Sequence, residues 1–205
     1  MLAANYAASR TPKGLKRLII ASSPASAALC TQGMDYLLAR FPKEFVQAIR
    51  KHEAEGTTNS QEYQDASMLF YKKHLCTLDP WPEELIQSFN EFEKDRTVYL
   101  AMYVDFRAVP RHTPFDSRAL YRWGPSEFTV AGNLKNWDIT GIIHKIACPT
   151  LLLSAPLDEI QEVAVLPFFL KIQKVKWVEL QNSTHLAQFE EPERSVVFYF
   201  DDQVA

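Results

Sequence analysis

Cysteine is scarce in this 205-residue sequence: Cys30, Cys76 and Cys148 are odd in number and far apart. No C-x-x-C pair occurs, so neither a zinc-site spacing nor a dithiol motif is available, and the pattern points to reduced thiols in a cytoplasmic protein. The five histidines show no H-x-x-x-H spacing, so no metal site is expected. No apolar run approaches the roughly 20 residues needed to span a bilayer. The opening Met1-Leu2-Ala3-Ala4-Asn5-Tyr6 lacks the basic-then-apolar layout of a secretory signal. Net charge is −3, with no basic cluster, so neither a nucleic-acid footprint nor a polybasic membrane surface is expected.

What is present is α/β alternation with a helical interruption. Met1–Ser9 is Ala-rich and reads as a helix, and Leu15–Ser22 reads as a buried strand. From about Pro24 to Asn133 the pattern is mostly helical. Met34–His52 carries Leu37, Leu38, Phe41, Phe45, Val46 and Ile49 at close to helical period. Ser60–Leu75 reads as a second helix with Ser60 as N-cap, and Pro82–Glu93 as a third with proline in its first turn. Asp79-Pro80-Trp81-Pro82 is a stiff connector between them. Alternation then returns, with helices expected over Trp137–Ile146, Val163–Ile172 and Pro192–Phe200, and strands over Pro149–Ser154 and Val175–Leu180. The expected fold class is a partial α/β-hydrolase core with an inserted helical cap. Residues 1–24 would give one helix and one strand, 25–134 the cap, and 135–205 the last core elements.

Two residues carry a chemical signature. Asp158 follows the strand-like Leu151-Leu152-Leu153-Ser154, and His185 follows Val175–Leu180. Loops after strand ends are where an open α/β sheet presents function. Acid before histidine is the chain order of an α/β-hydrolase triad, whose serine comes earlier. In that chemistry the serine attacks a carbonyl, the histidine takes its proton, and the acid holds the imidazole tautomer. No G-x-S-x-G elbow occurs in the sequence. Gly124-Pro125-Ser126 half resembles one, but Phe128 stands where its second glycine would be, and Ser126 follows the cap rather than a core strand.

Longer segments resemble the proline iminopeptidase family of α/β-hydrolases, which includes related L-amino-acid amidases. They are His52-Glu53-Ala54-Glu55-Gly56-Thr57, Phe70-Tyr71 with His74, Leu78-Asp79-Pro80-Trp81-Pro82, Gly124-Pro125-Ser126-Glu127-Phe128 and Trp137-Asp138-Ile139. Pro149-Thr150-Leu151-Leu152, Asp158-Glu159, Asn182-Ser183-Thr184-His185 and Glu190-Glu191-Pro192-Glu193-Arg194 complete the set, in the family's order. The resemblance implies Asp158 as triad acid and His185 as triad base, working by an acyl-enzyme route with no metal or cofactor. It implies Glu127 and Glu159 as the carboxylates that hold the free amino terminus of a small peptide or amino-acid amide. An ammonium leaving water needs a paired negative charge, so the implied roles are physically sound.

The sequence departs from the family in two ways. The His-Gly-Gly-Pro-Gly loop and the G-x-S-x-G-G elbow are absent, and Met1–Ala7 is similar to the helix that directly follows that elbow. Tyr103–Arg122, with two prolines and four arginines, lies between flanks that adjoin in family members. It reads either as a lid loop or as a retained intron, the abrupt entry and exit favouring the latter. The resulting expectation is the cap and last core elements of a serine aminopeptidase releasing N-terminal proline, inactive by itself. The alternatives are an L-amino-acid amidase of the same fold and a non-catalytic binding module.

Overall fold

Apolar runs bounded by turn residues become the strands of a parallel sheet. The computed structural model describes residues 1–95, 128–130 and 134–195. Helix α1 (Leu2–Arg10) leads into β1 (Leu18–Ala21). Among the described residues four helices follow: α2 (Ala27–Leu38), α3 (Lys43–Glu55), α4 (Gln61–His74) and α5 (Glu83–Lys94). The chain then returns to the sheet as β2 (Thr150–Ser154), crosses through α6 (Glu162–Lys171) to β3 (Val175–Glu179), and continues into the short α7 (Ala187–Glu190). Among the described residues the sheet has the order β1-β2-β3. β2 is central and all five of its residues are buried, which is why it reads as an apolar run rather than an alternation. Leu18 pairs with Thr150 and Thr150 with Val175, so the C-terminal ends of the strands lie close to level.

Capping sets most helix starts. Ser26 Oγ accepts the Leu29 N–H at 3.2 Å, and Ser60 Oγ accepts the Tyr63 N–H at 3.2 Å. Pro42 and Pro82 stand at the N-cap positions of α3 and α5, where a missing N–H costs little. Pro42 also breaks the helix expected over Met34–His52 into two. The hydrophobic period runs through Phe41, but a proline cannot donate to a preceding turn. Arg40 and Phe41 instead donate to Leu37 and Leu38 in a tight turn.

A second difference falls at Trp137–Ile146, where only Ile143–Lys145 forms a single 3₁₀ turn. The Asp138 carboxylate captures the Thr140 N–H at 2.7 Å, a local bond that competes with helix. Ala27 N donates to Trp137 O at 2.9 Å and Ile139 N to Ala25 O at 3.1 Å, pinning this stretch as an extended bridge. Of the expected Pro192–Phe200 helix, residues 192–195 are helical and the remainder lies outside the described residues.

Buried side chains fall into two clusters. One surrounds the sheet and is mostly aliphatic, with Ile20, Leu152, Ile143, Val165 and Phe168 among its members. The other lies among the helices and is largely aromatic, built on Phe41, Tyr63, Phe70 and Phe128. Helix α2 belongs to both, and it approaches the sheet side at Gly33, where a Cβ would lie 2.9 Å from Gln161 Cβ.

Candidate active site

The site begins where β2 stops. After Ser154 the chain turns through Ala155-Pro156-Leu157, and the Asp158 N–H closes the turn on Ala155 O at 3.2 Å. Asp158 is fully buried. Its Oδ1 accepts the Ile160 N–H at 2.7 Å and bonds His185 Nδ1 at 2.8 Å. Gln161 Nε2 donates back to the Asp158 carbonyl at 2.5 Å. A carboxylate only accepts, so the His185 proton is on Nδ1 and Nε2 is left as the basic nitrogen. That is the tautomer general-base catalysis requires.

His185 reaches Asp158 from the loop after β3. Leu180 N donates to Ser154 O at 2.8 Å, which extends the strand pairing one step before the loop departs. Two successive carboxylates then hold it. Glu190 accepts the Thr184 N–H at 2.6 Å, and Glu191 accepts the Asn182 N–H at 3.1 Å and the Ser183 hydroxyl at 2.6 Å. The Ser183 bond, followed by the Asn182 amide and Arg194, keeps the Glu191 carboxyl below the usual range. The imidazole is 24% exposed and lines a cavity of about 200 Å³ with Ser22, Ser154, Leu180 and Ser195, at the strand ends.

Glu159 approaches the other edge of the ring. Its Oε1 lies 3.7 Å from His185 Nε2, while Oε2 is buried and has no hydrogen-bond partner among the described residues. Burial raises the Glu159 pKa and the negative charge of Asp158 adds to this, against the opposing pull of His185. Asp158 Oδ2 is likewise buried without a partner among the described residues. The same surroundings push the Cys30 thiol up to about 12, by burial first and then by Glu159 and Asp158, so Cys30 stays protonated.

The structure thus brings together Asp158, His185 and Glu159. Glu127, and the Tyr103–Arg122 stretch with it, lie outside the described residues. Just beyond Glu127, Arg50 fastens the chain: it donates to Phe128 O at 3.3 Å and Thr129 Oγ1 at 2.9 Å, and pairs with Asp35 at 2.7 Å and Glu53 at 2.9 Å. No group of three or more His, Cys, Asp or Glu side chains suited to a metal occurs among the described residues. No helix there is long and apolar enough to cross a membrane.

Sequence reasoning assigned no roles to His74, Thr77, Glu190 and Glu191. All but Thr77 fall within the segments that carry the family resemblance. Nothing local in those segments says that they meet at one loop.

A parallel sheet with helical crossovers, an acid and a histidine bonded at its strand ends, and helices inserted between the strands define a partial α/β-hydrolase fold. Comparison with known proteins narrows this. The chain is 32% identical over 192 residues to a proline iminopeptidase of Heyndrickxia coagulans, covering 94% of this chain and 59% of that protein. It is 30% identical over 177 residues to a proline iminopeptidase of Thermoplasma volcanium, covering 86% of this chain and 53% of that one. Among solved structures, VinJ superposes with a TM-score of 0.83 at 32% identity, and a proline iminopeptidase of Mycobacterium smegmatis with 0.80 at 31%. Each alignment covers 100% of this chain, with 63% and 62% of the other. No family model matches. By these relationships the chain belongs to the proline iminopeptidase family, and it spans somewhat more than half the length of the curated relatives it matches.

Proposed function

We propose that this chain carries the acid, the base and part of the amine-binding site of a serine-type aminopeptidase that releases N-terminal proline. The observation that carries this reading is Glu159. A buried carboxylate with one unpartnered oxygen, beside the basic edge of an acid-bound histidine, is costly unless a cation completes it. The ammonium of a free amino terminus supplies that charge and would bring its own acyl carbon to the imidazole. Residues 25–134 act as the cap over this point, with Glu127 as the second carboxylate on the ammonium.

In the proposed reaction a serine hydroxyl bonds to the acyl carbon and gives its proton to His185 Nε2. Collapse of the adduct breaks the C–N bond, and Nε2 returns the proton to the departing amine. Water then repeats the sequence on the acyl-enzyme. Asp158 stabilises the imidazolium through both half-reactions without taking the proton. The 205 residues hold no G-x-S-x-G motif, so by themselves they bind such an amine without turning it over. Hydrolysis needs a serine presented against Nε2.

Calorimetric titration with prolinamide and with N-acetylprolinamide tests the amine site. The free amine is expected to bind, the acetylated one to bind at least tenfold more weakly, and Glu159→Gln to erase most of the difference. Equal binding of the two ligands to the unmodified chain would overturn the reading.

A further inference from the structure

The end of α4 is hydrogen-bonded to both loops of the acid–histidine pair. His74 is buried, and its ring sits 4.8 Å from Phe70 and 5.8 Å from Phe41, centroid to centroid. Its Nδ1 bonds Leu157 O at 2.9 Å, in the turn that delivers Asp158. Burial lowers its pKa, so the ring is neutral at neutral pH and the Nδ1 proton donates to that carbonyl. The His74 carbonyl meanwhile accepts two amides: Glu159 N at 3.2 Å and His185 N at 3.3 Å. One residue of the helical insert therefore bonds three positions, in the acid turn and at the histidine itself.

The contacts continue along the chain. Leu75 O accepts the Leu186 N–H at 3.1 Å. Thr77 donates both its N–H and its hydroxyl to Glu190 Oε1 at 2.7 Å, and Glu190 Oε2 accepts the Thr184 N–H. Residues 74–77 thus form a hydrogen-bonded seam that touches both loops of the pair, although Asp158 and His185 belong to different strand ends. Core packing alone leaves the spacing of these loops to β2 and β3, which end at Ser154 and Glu179, short of both catalytic positions.

We infer that His74 is a positioning residue: it registers the His185 loop against the Asp158 turn, so that the helical insert, and not the sheet alone, sets the Nδ1–carboxylate bond. The inference rests on Asp158 and His185 working as a pair but needs no ligand, so its failure and that of the amine-binding reading are read separately.

The test is proton NMR of the 205-residue chain, following the downfield Nδ1–H of His185, assigned by its absence in His185→Gln, and its exchange with water. His74→Phe keeps the aromatic packing and removes the donor to Leu157. His74→Asn places an amide N–H close to where Nδ1 stands. Expected is exchange about fivefold faster in His74→Phe, the factor that one hydrogen bond is worth, with recovery in His74→Asn. A gentler variant, Thr77→Val, should speed exchange about twofold by the same reasoning, and it decides the matter if His74→Phe does not fold. Unchanged exchange in a folded His74→Phe, or in Thr77→Val where the former is unfolded, would overturn the inference. Failure of a folded His74→Asn to recover would also overturn it, because the bond to Leu157 would then not be the cause.

Discussion

The two loops that form the acid–histidine pair share His74 of the helical insert as a support but differ in what else holds them. The Asp158 turn is held mainly from within, by Ala155 O, Ile160 N and the Gln161 side chain, all within three residues of Asp158; His74 adds bonds at Leu157 and Glu159, and the carboxylate is fully buried. The His185 loop is held from outside, by Glu190 and Glu191 downstream and by residues 74–77 of the helical insert. Its imidazole keeps partial exposure toward the cavity. In the proposed reaction the acid has only to stay in one place. The proposed base would have to meet a reacting hydroxyl, so its support cannot enclose it.

Removing either partner breaks the comparison at its strongest point. In a protein that joins this chain to a nucleophile elbow, His185→Ala is expected to lower kcat for prolyl 4-nitroanilide on the order of a millionfold. Asp158→Asn should cost roughly 10⁴-fold, since an amide favours the wrong tautomer but leaves the base in place. The ratio of the two is the informative quantity. Equal losses would mean that Asp158 does more than hold the ring.

The outside support of the His185 loop should fail at Glu190. That carboxylate accepts from Thr77 N and Oγ1 and from Thr184 N and Oγ1, at 2.6 to 2.9 Å. Glu190→Ala strands two backbone amides and is expected to cost about 2 kcal/mol in urea unfolding. Amide exchange should rise first at Thr184 and Thr77. Uniform exchange across the chain would show that the loop is not a separate unit of stability.

The acid turn should instead be vulnerable from behind. A Cβ added at Gly33 would press on Gln161 Cβ at 2.9 Å, and Gln161 is the residue whose amide braces the Asp158 carbonyl. Gly33→Ala is expected to lower stability by about 1 to 2 kcal/mol through overpacking, although alanine is the better helix former. A gain in melting temperature would show that α2 shifts freely against the turn.

This division also explains what could be read from the sequence. Strands β1 and β2 were legible because parallel strands buried by helices appear as apolar runs, and β3, which is only partly buried, because β-branched and aromatic residues recur in Val-Lys-Trp-Val-Glu. The pairing of Asp158 with His185 was legible because each follows a strand, in the order that one chemistry uses. The break at Pro42 was masked by a hydrophobic period that continues across it. The stretch from Trp137 to Ile146 has helical spacing, but the Asp138 side chain and the bridge to Ser26 capture it first. The supports of His185 were the least legible. Thr77 and Glu190 are 113 positions apart, and neither has a local reason to matter until the fold closes the distance.

Glu159 provides the finest test, because there the needs of site and fold conflict. Burial raises its folded-state pKa above the ordinary value of 4.5. A raised carboxyl pKa means that the folded chain holds this proton to higher pH than the unfolded chain does. Stability is therefore lost as pH rises from 4.5 through the raised value. Glu159→Gln removes the charge while keeping the shape. It is expected to raise the melting temperature of the ligand-free chain at pH 7, by an amount worth about 1 kcal/mol. The gain should shrink as pH falls through the raised value and be gone below 4.5, where the carboxyl is neutral in the folded and the unfolded chain alike. Saturating prolinamide should reverse the order at pH 7, because only the ionised carboxylate gains from the ammonium. A melting temperature for Glu159→Gln that is unchanged or lower without ligand would mean that the carboxylate is already satisfied in the fold, and the case for a cation beside His185 would lose its physical basis.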